Sequence, residues 1–192
     1  MKLVLASTSK IKNEILNKVG MKHSNVKSTF EEVSNNKEDV YEYVKELAYG
    51  KACNACMDDK SIILGLDTVV YVNGKILEKP KSIDEAKQNL KICSSNTSYV
   101  IKVIALINKY NNQVINDYAE TKVILNDICD EDIEYYIENE PDVMYASGFV
   151  IETIPSNFIK KIDGSFYNIL GVPVEKIYEY LKGWNIHLKD LE

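Results

Sequence analysis

The run from Ile62 to Val72 is apolar almost without a break, reading Ile-Ile-Leu-Gly-Leu-Asp-Thr-Val-Val-Tyr-Val. A short continuous run of this kind, rich in β-branched side chains, predicts a buried strand. Asn73-Gly74 follows it. That pair is the strongest two-residue hairpin signal, and it turns the chain back into Lys75–Leu77. Asp67 stands alone inside the run. A carboxylate among Leu, Gly, Thr and Val is costly unless it meets a cation, a metal or a proton to move. The plainer alternative places Asp67 at the end of the sheet, capping a loop amide.

The rest of the chain supplies partners for that strand. Residues 2–6 read as a short buried strand, and Ser7-Thr8-Ser9 offers N-cap hydroxyls to a helix through Ile11, Ile15, Leu16 and Val19, stopped by Gly20. A further strand is expected over residues 25–30. Between residues 37 and 58, Val40, Val44, Leu47, Ala48, Ala52 and Ala55 recur at helical spacing. Ser82-Ile83-Asp84-Glu85 has capping-box form and opens a helix to about Cys93. Two long β-like runs cover residues 99–107 and 114–125. Asp130 begins an acidic helix ending near Asn139, strands are expected at 147–153 and 158–162, and Asp163-Gly164 turns the chain. A last helix after Pro173 carries Val174, Ile177, Tyr178 and Leu181 on one face, with Gly183 closing it. Strands and helices interleave, which predicts an α/β fold, and the hairpins make its sheet mixed. The length of 192 residues fits one domain, taken as 1–189 with 190–192 as a tail.

Charge narrows the function classes. The net charge is −6, and all 23 basic residues are Lys, with no Arg anywhere. Extended nucleic-acid binding wants a basic face, so a nucleic-acid polymer is not an expected partner. An anion site here must use ammonium groups and backbone N–H, never a bidentate guanidinium. No apolar run approaches the roughly 20 residues of a membrane span, and the N-terminus does not read as a signal peptide, so a cytoplasmic location is expected. The four Cys (Cys53, Cys56, Cys93 and Cys129) are too few for a disulfide scaffold, and the C-x-x-C at 53–56 lies in a predicted helix without a second pair. His23 and His187 fit no ligand spacing, and Asp130-Glu131-Asp132 reads as a dipole-matched helix start.

Three further features break local rules. Lys51 falls on the apolar stripe of its helix, where either snorkelling or a functional role accounts for it. Ser7-Thr8-Ser9-Lys10-Ile11-Lys12 puts hydroxyls, free amides and two lysines at a helix N-terminus. Lysine opposes the helix dipole there, whereas a bound phosphate satisfies both; the plainer alternative is a Ser N-cap with solvated lysines. Glu78-Lys79-Pro80-Lys81 is a short basic loop after the hairpin, of a kind that is usually solvated surface.

In order, these elements resemble the Maf family of nucleoside triphosphate pyrophosphatases, also called septum formation inhibitor proteins. Leu5-Ala6-Ser7-Thr8-Ser9 stands where the family reads L-A-S-x-S-P-R-R, followed by Glu31-Glu32. Leu47-Ala48-Tyr49-Gly50-Lys51-Ala52 stands for L-A-x-x-K-A, and Gly65-Leu66-Asp67-Thr68-Val69-Val70 for G-A-D-T-V-V. Leu77-Glu78-Lys79-Pro80, Lys161-Ile162-Asp163-Gly164-Ser165-Phe166 and Gly171-Val172-Pro173 match L-x-K-P, K-I-x-G-S-Y and G-L-P. The resemblance runs from about Lys2 to Leu181. It implies an elongated mixed sheet flanked by helices, with two lobes and a central cleft, as in inosine triphosphatase-like folds.

It also implies a chemistry. The substrate would be a nucleoside triphosphate, cut between the α- and β-phosphates to give a monophosphate and pyrophosphate with Mg²⁺ or Mn²⁺. Asp67 matches the general base and, with Glu32, the metal ligands, while Ser7, Lys12, Lys51 and Lys79 match the phosphate cradle. A homodimer is implied as well. Several positions depart from the pattern. Ile11 and Lys12 stand in place of the two Arg, and Lys102-Val103 in place of a Thr-Gly. Thr68 resembles the dTTP/UTP branch, whereas Glu152 resembles the 7-methyl-GTP branch, so these specificity positions point to different bases. A nucleotide-binding regulatory protein with weak or lost catalysis is the alternative, and a pyrophosphatase for ITP-like purines a weaker third reading.

Overall fold

The computed structural model describes residues 1–30, 40–55, 60–145 and 147–192. Seven strands form one mixed sheet: β1 (Leu3–Leu5), β2 (Ser24–Asn25), β3 (Ile62–Val72), β4 (Lys75–Leu77), β5 (Thr97–Asn108), β6 (Gln113–Leu125) and β7 (Ile159–Asp163). Their order is β2-β1-β3-β5-β6-β7, with β4 paired to β3. The helices are α1 (Lys10–Lys18), α2 (Val40–Cys53), α3 (Ile83–Cys93), α4 (Asp130–Asn139), α5 (Phe166–Leu170) and α6 (Val174–Gly183). The expected α/β class with a mixed sheet is the one found: β1 pairs in parallel with β2 and β3, whereas the β3–β4 and β6–β7 pairs are antiparallel. The hairpin turn is as the sequence dictates, with Asn73 at φ 48° and Gly74 at φ 81°, the left-handed pair that a two-residue turn of matching twist requires.

Some expectations need correction. Residues 147–153 form turns rather than a strand, and in the 25–30 stretch only Asn25 is in a strand. Tyr178 is exposed rather than on the packed face of α6, which is Val174, Ile177 and Leu181. Gly183 is the last residue of α6 and does not close it. The left-handed residue after the helix is Asn185, at φ 58°.

The chain divides into two compact units. The first comprises residues 1–68, 102–119 and 170–192. Its core joins Leu3 and Leu5 of β1, Leu16 of α1, Ile62 and Leu64 of β3, Ile104 and Leu106 of β5, and Ile177 and Leu181 of α6. Burial of each such side chain is worth roughly 1.5–3 kcal/mol. Leu191, set apart in sequence with the 190–192 tail, is buried in this core. α6 is tied to β6 by a polar clamp: Lys176 Nζ lies 2.8 Å from Asp117 Oδ2, Tyr180 donates its hydroxyl to the same carboxylate, and the Tyr118 N–H donates to Oδ1 at 2.8 Å. Burial pushes the Asp117 carboxyl up, but the bonds from Lys176, Tyr180 and Tyr118 outweigh it and hold the group below the usual carboxylate range.

The sign of the linkage follows. A depressed carboxyl contributes stability above its unfolded pKa of about 4, and that contribution is lost as pH falls through the folded value. The side chain is 43% exposed, so screening keeps the effect small. Asp117→Asn is expected to cost about 0.5–1 kcal/mol at pH 7, read as a lower Tm, with the gap to wild type closing as pH drops below about 4. A gap independent of pH would remove the ionic reading of this clamp.

The second unit comprises residues 69–101 and 120–169. α3 begins as its sequence predicts, with the Ser82 hydroxyl accepting from the Glu85 N–H. The Glu85 carboxylate reaches back one residue further than a capping box, to the Lys81 N–H at 2.7 Å. α3 and α4 are joined by Lys87 to Glu134 at 2.7 Å and Lys91 to Asp130 at 2.7 Å. Tyr136 of α4 is fully buried and its hydroxyl accepts from the Val150 N–H at 3.0 Å; burial pushes that hydroxyl up to about 12. Thr121 is the pin of the β6–β7 end. Its Oγ1 donates to the Ser165 carbonyl at 3.2 Å and accepts from the Ser165 N–H and from Asn168 Nδ2, each at 3.0 Å.

Candidate active site

The first unit brings three elements to one end of its parallel strands. β1 pairs with β3 from Leu3↔Ile62 to Leu5↔Leu64, and the Ala6 N–H extends the ladder to the Leu64 carbonyl at 2.9 Å. Past that point β1 ends and Ser7-Thr8-Ser9 turns into α1. Ser7 Oγ accepts from the Ser9 N–H at 3.1 Å, and Ser9 caps the helix by accepting from the Lys12 N–H. Open α/β sheets bind ligands outside the carboxyl ends of such strands. The helix N-terminus adds amides and a positive dipole end suited to an anion. α1 has no acidic residue in its first turn, and Lys12 folds its ammonium onto the Leu66 carbonyl at 2.9 Å, next to Asp67.

α2 supplies the cation for Asp67. Ala48 and Ala52 are fully buried on the helix face that packs on Gly65 of β3, and Lys51 shares that face. Its Nζ lies 3.2 Å from Asp67 Oδ2, with the two side chains 20% and 17% exposed. The Thr68 N–H donates to the other oxygen, Oδ1, at 2.9 Å. Both sequence puzzles therefore have one answer: the lysine on an apolar stripe and the carboxylate in an apolar strand are partners. The gross attraction of such a pair, about 5 kcal/mol at an effective dielectric of 20, is largely offset by desolvation. Its value is in position. Lys51 and the Thr68 amide fix the carboxylate plane, while partial exposure leaves the group reachable.

Other sequence candidates fall as follows. Ser7, Lys12, Lys51, Asp67 and Thr68 all lie in the first unit, as does Ile11, which is 52% exposed on α1. Lys79 and Glu152 belong to the second unit and are both exposed. The loop bearing Lys79 is held by the Ser147 hydroxyl, which donates to the Leu77 carbonyl at 3.2 Å, and by Asn89 Nδ2, which donates to the Glu78 carbonyl at 3.2 Å. Glu152 sits in a turn. Glu32 and Cys56 lie outside the described residues. Lys102 was not a sequence candidate, yet it is 1% exposed in β5. The signal was available, since it is a charge inside an apolar run, just as Asp67 is.

A family model described as Maf-like protein matches residues 2–184. The chain belongs to the Maf-like family. Curated relatives match over nearly their whole length. A dTTP/UTP pyrophosphatase of Clostridium perfringens (strain SM101 / Type A) is 36% identical over 189 residues, covering 97% of this chain and 98% of that protein. A dTTP/UTP pyrophosphatase of Thermoanaerobacter sp. (strain X514) is 32% identical over 184 residues, covering 95% and 96%. Among solved structures, a nucleoside-triphosphatase / dITP/XTP pyrophosphatase from Mycobacterium abscessus aligns with a TM-score of 0.43 and 15% identity, over 67% of this chain and 76% of that one.

Two motifs of this Maf-like chain now have physical reasons. The Gly in Gly65-Leu66-Asp67 lets α2 approach β3, because a Cβ there would lie 2.3 Å from the Ala48 carbonyl oxygen. The Gly-Ser of 164–165 seats against Thr121, whose Oγ1 would be 2.7 Å from a Cβ at Gly164. The first motif lets α2 bring Lys51 to Asp67; the second anchors a strand end.

Proposed function

We propose that this chain is a nucleoside triphosphate pyrophosphatase that hydrolyses dTTP and UTP to the monophosphate and pyrophosphate. The observation that carries the reading is the Lys51–Asp67 pair beside the α1 N-terminus, in a chain whose 36%-identical relative is a dTTP/UTP pyrophosphatase. Asp67 takes the proton of the attacking water, whose oxygen bonds to the α-phosphorus as the α–β bridging bond breaks and pyrophosphate leaves. Ser7, the α1 amides, Lys12 and Lys51 hold phosphate oxygens, and Lys79 matches the family's further phosphate-binding lysine. Positioning and charge neutralisation supply most of the rate in such transfers.

A divalent cation fits this donor set. Asp67 offers hard oxygen atoms, and Mg²⁺ is commonly held by one or two carboxylates together with substrate phosphates and water. Asp67 and Glu32 are the ligands that the family resemblance implies, and Glu32 lies outside the described residues. Bound there, Mg²⁺ or Mn²⁺ neutralises charge developing on the phosphates. A homodimer and a cytoplasmic location go with the same reading. Among the described residues no helix is long and apolar enough to cross a membrane.

The test is pyrophosphate release from dTTP, UTP, CTP, GTP, ITP and 7-methyl-GTP with Mg²⁺ or Mn²⁺. The expected result is a kcat/KM for dTTP and UTP about tenfold or more above the rest, with pyrophosphate and not orthophosphate as product. Preference for 7-methyl-GTP would make Glu152 the better guide than Thr68. Nucleotide binding without turnover of any substrate would replace the enzyme by a regulatory binding protein.

A further inference from the structure

We infer that Phe30 is a positioning residue of the active site: together with Thr29 it closes the last turn of α2 and so holds Lys51 on Asp67. The inference rests on the pyrophosphatase reading above. α2 ends at Cys53, so Lys51 belongs to its last turn. Last turns fray, because their carbonyls have no partner within the helix. Gly50 loosens this one further, since Gly loses more conformational freedom on folding than any other residue. The lysine that fixes the plane of Asp67 is therefore mounted on the weakest part of its helix. Residues 28–30, in the same compact unit, supply the hold. A Cβ at Gly50 would lie 2.5 Å from Phe30 Cζ and 2.7 Å from Cδ2, so the ring rests on the helix backbone where only Gly leaves it room. Thr29 Oγ1 donates to the Asn54 carbonyl at 3.4 Å. Asn54 in turn donates to the Gly50 carbonyl at 3.0 Å from both its backbone N–H and its Nδ2.

The grip has two sides. Ala48 and Ala52 meet β3 at Gly65, and residue 50 stands about 200° around the helix from each of them. Lys51 falls between the two contacts, one of which is backbone on backbone and the other a ring on backbone. The rest of α2 does not need Phe30, because Val44 and Leu47 are buried on their own account. Removing the half-buried ring therefore frees one turn and leaves the helix in place, a local opening of the kind that costs little global stability. In the freed turn the ammonium leaves Asp67 Oδ2, while the Thr68 N–H keeps Oδ1. The carboxylate can then swing about that one bond, and misplacement of a reacting group by about 1 Å is enough to slow catalysis.

The test is a double-mutant cycle between Phe30→Ala and Lys51→Met, read as kcat/KM for pyrophosphate release from dTTP with Mg²⁺. Phe30→Ala alone is expected to lower kcat/KM about fivefold and Tm by no more than a few degrees. In the Lys51→Met background the same change is expected to cost less than about twofold, because no ammonium is left to position. A merely structural role predicts equal losses in the two backgrounds, and that result overturns the inference. An unchanged kcat/KM for folded Phe30→Ala overturns it too, and either result leaves the enzyme reading intact. Amide hydrogen exchange is the second readout and needs no turnover. With Phe30→Ala, residues 51–54 are expected to exchange about tenfold faster while residues 44–48 keep their rates. Faster exchange along all of α2, or none, overturns the inference. Should wild type release no pyrophosphate from any triphosphate, the enzyme reading fails, and the Tm shift given by inorganic tripolyphosphate with Mg²⁺ replaces kcat/KM in the same cycle under the same criteria. A wild type that tripolyphosphate does not shift overturns both. Phe30→Leu is the second variant should Ala not fold, and failure of both to fold makes Phe30 a structural group and overturns the inference.

Discussion

Asp67→Asn is expected to lower kcat for pyrophosphate release from dTTP or UTP by about 10³-fold while leaving the protein folded and able to bind nucleotide. The size follows from the two roles given to one carboxylate. Loss of a general base costs typically 10²–10⁴-fold, and an amide is a poorer ligand for a hard divalent cation. Folding is expected to survive because Asn keeps the shape and an oxygen for the Thr68 N–H, now 2.9 Å from Asp67 Oδ1. Lys51, 20% exposed, would face an amide oxygen in place of a carboxylate. Since the net worth of the ion pair is small once desolvation is counted, Tm is expected to move by only a few degrees. The informative contrast is therefore between turnover and stability. A variant that keeps its Tm and binds dTTP but releases pyrophosphate about 10³-fold more slowly fits Asp67 as the base. One that retains turnover within tenfold removes Asp67 from the chemistry, whatever the rest of the site does.

Much of this site was legible in the sequence because its residues offend local rules. Asp67 in an apolar strand and Lys51 on an apolar helix stripe each raised a charge problem, and the fold resolves the two with a single contact of 3.2 Å. Strand β3, the Asn73-Gly74 turn and helices α3 and α4 were legible too, since period, capping and turn chemistry agree there. What failed did so for identifiable reasons. The 147–153 stretch has a strand-like composition but forms turns, with its Val150 N–H donated to the Tyr136 hydroxyl. Gly183 looked like the helix stop, yet Asn185 takes the left-handed position, a conformation Asn adopts more readily than most side chains. Tyr178 was assigned to the α6 core face because helical spacing alone does not say how wide the buried stripe is. Lys102 was noted only as standing, with Val103, in place of a Thr-Gly; its burial follows from β5 lying between β3 and β6, which no local pattern shows. The contacts of Thr121 with Ser165 and Asn168 span 44 and 47 residues of chain, beyond any local pattern.

Gly65→Ala is expected to be the most damaging single-methyl change in the first unit, lowering Tm by about 6–12 °C and triphosphate turnover by more than about tenfold. A methyl at this position would sit 2.3 Å from the Ala48 carbonyl oxygen, 3.0 Å from the Ala52 Cβ and 3.1 Å from the Ala52 nitrogen. These are backbone atoms and the stub of an alanine, so no side-chain rotation relieves the clash. α2 must lift from β3, or the strand must bend. Overpacking of a close-packed core costs typically 1–3 kcal/mol, and a backbone obstacle puts this case near about 3 kcal/mol. For a chain of this size each kcal/mol is worth roughly 2–4 °C. Activity falls for a separate reason: Lys51 rides on the lifted helix, and a shift of about 1 Å in a positioning group is enough to cost catalysis heavily. Two other glycines serve as controls. A Cβ at Gly50 would meet the Phe30 ring at 2.4 Å, an obstacle that is the far end of a side chain and can swing aside, so Gly50→Ala is expected to cost far less. Gly183, the last residue of α6, has nothing within 4 Å of its would-be Cβ, and Gly183→Ala is expected to raise Tm slightly by stiffening the unfolded chain. Thermal melts of the three variants, with dTTP turnover alongside, test the ranking. Equal Tm for Gly65→Ala and Gly183→Ala would mean that α2 does not rest on β3 at Gly65, and the geometry that brings Lys51 to Asp67 would need another origin.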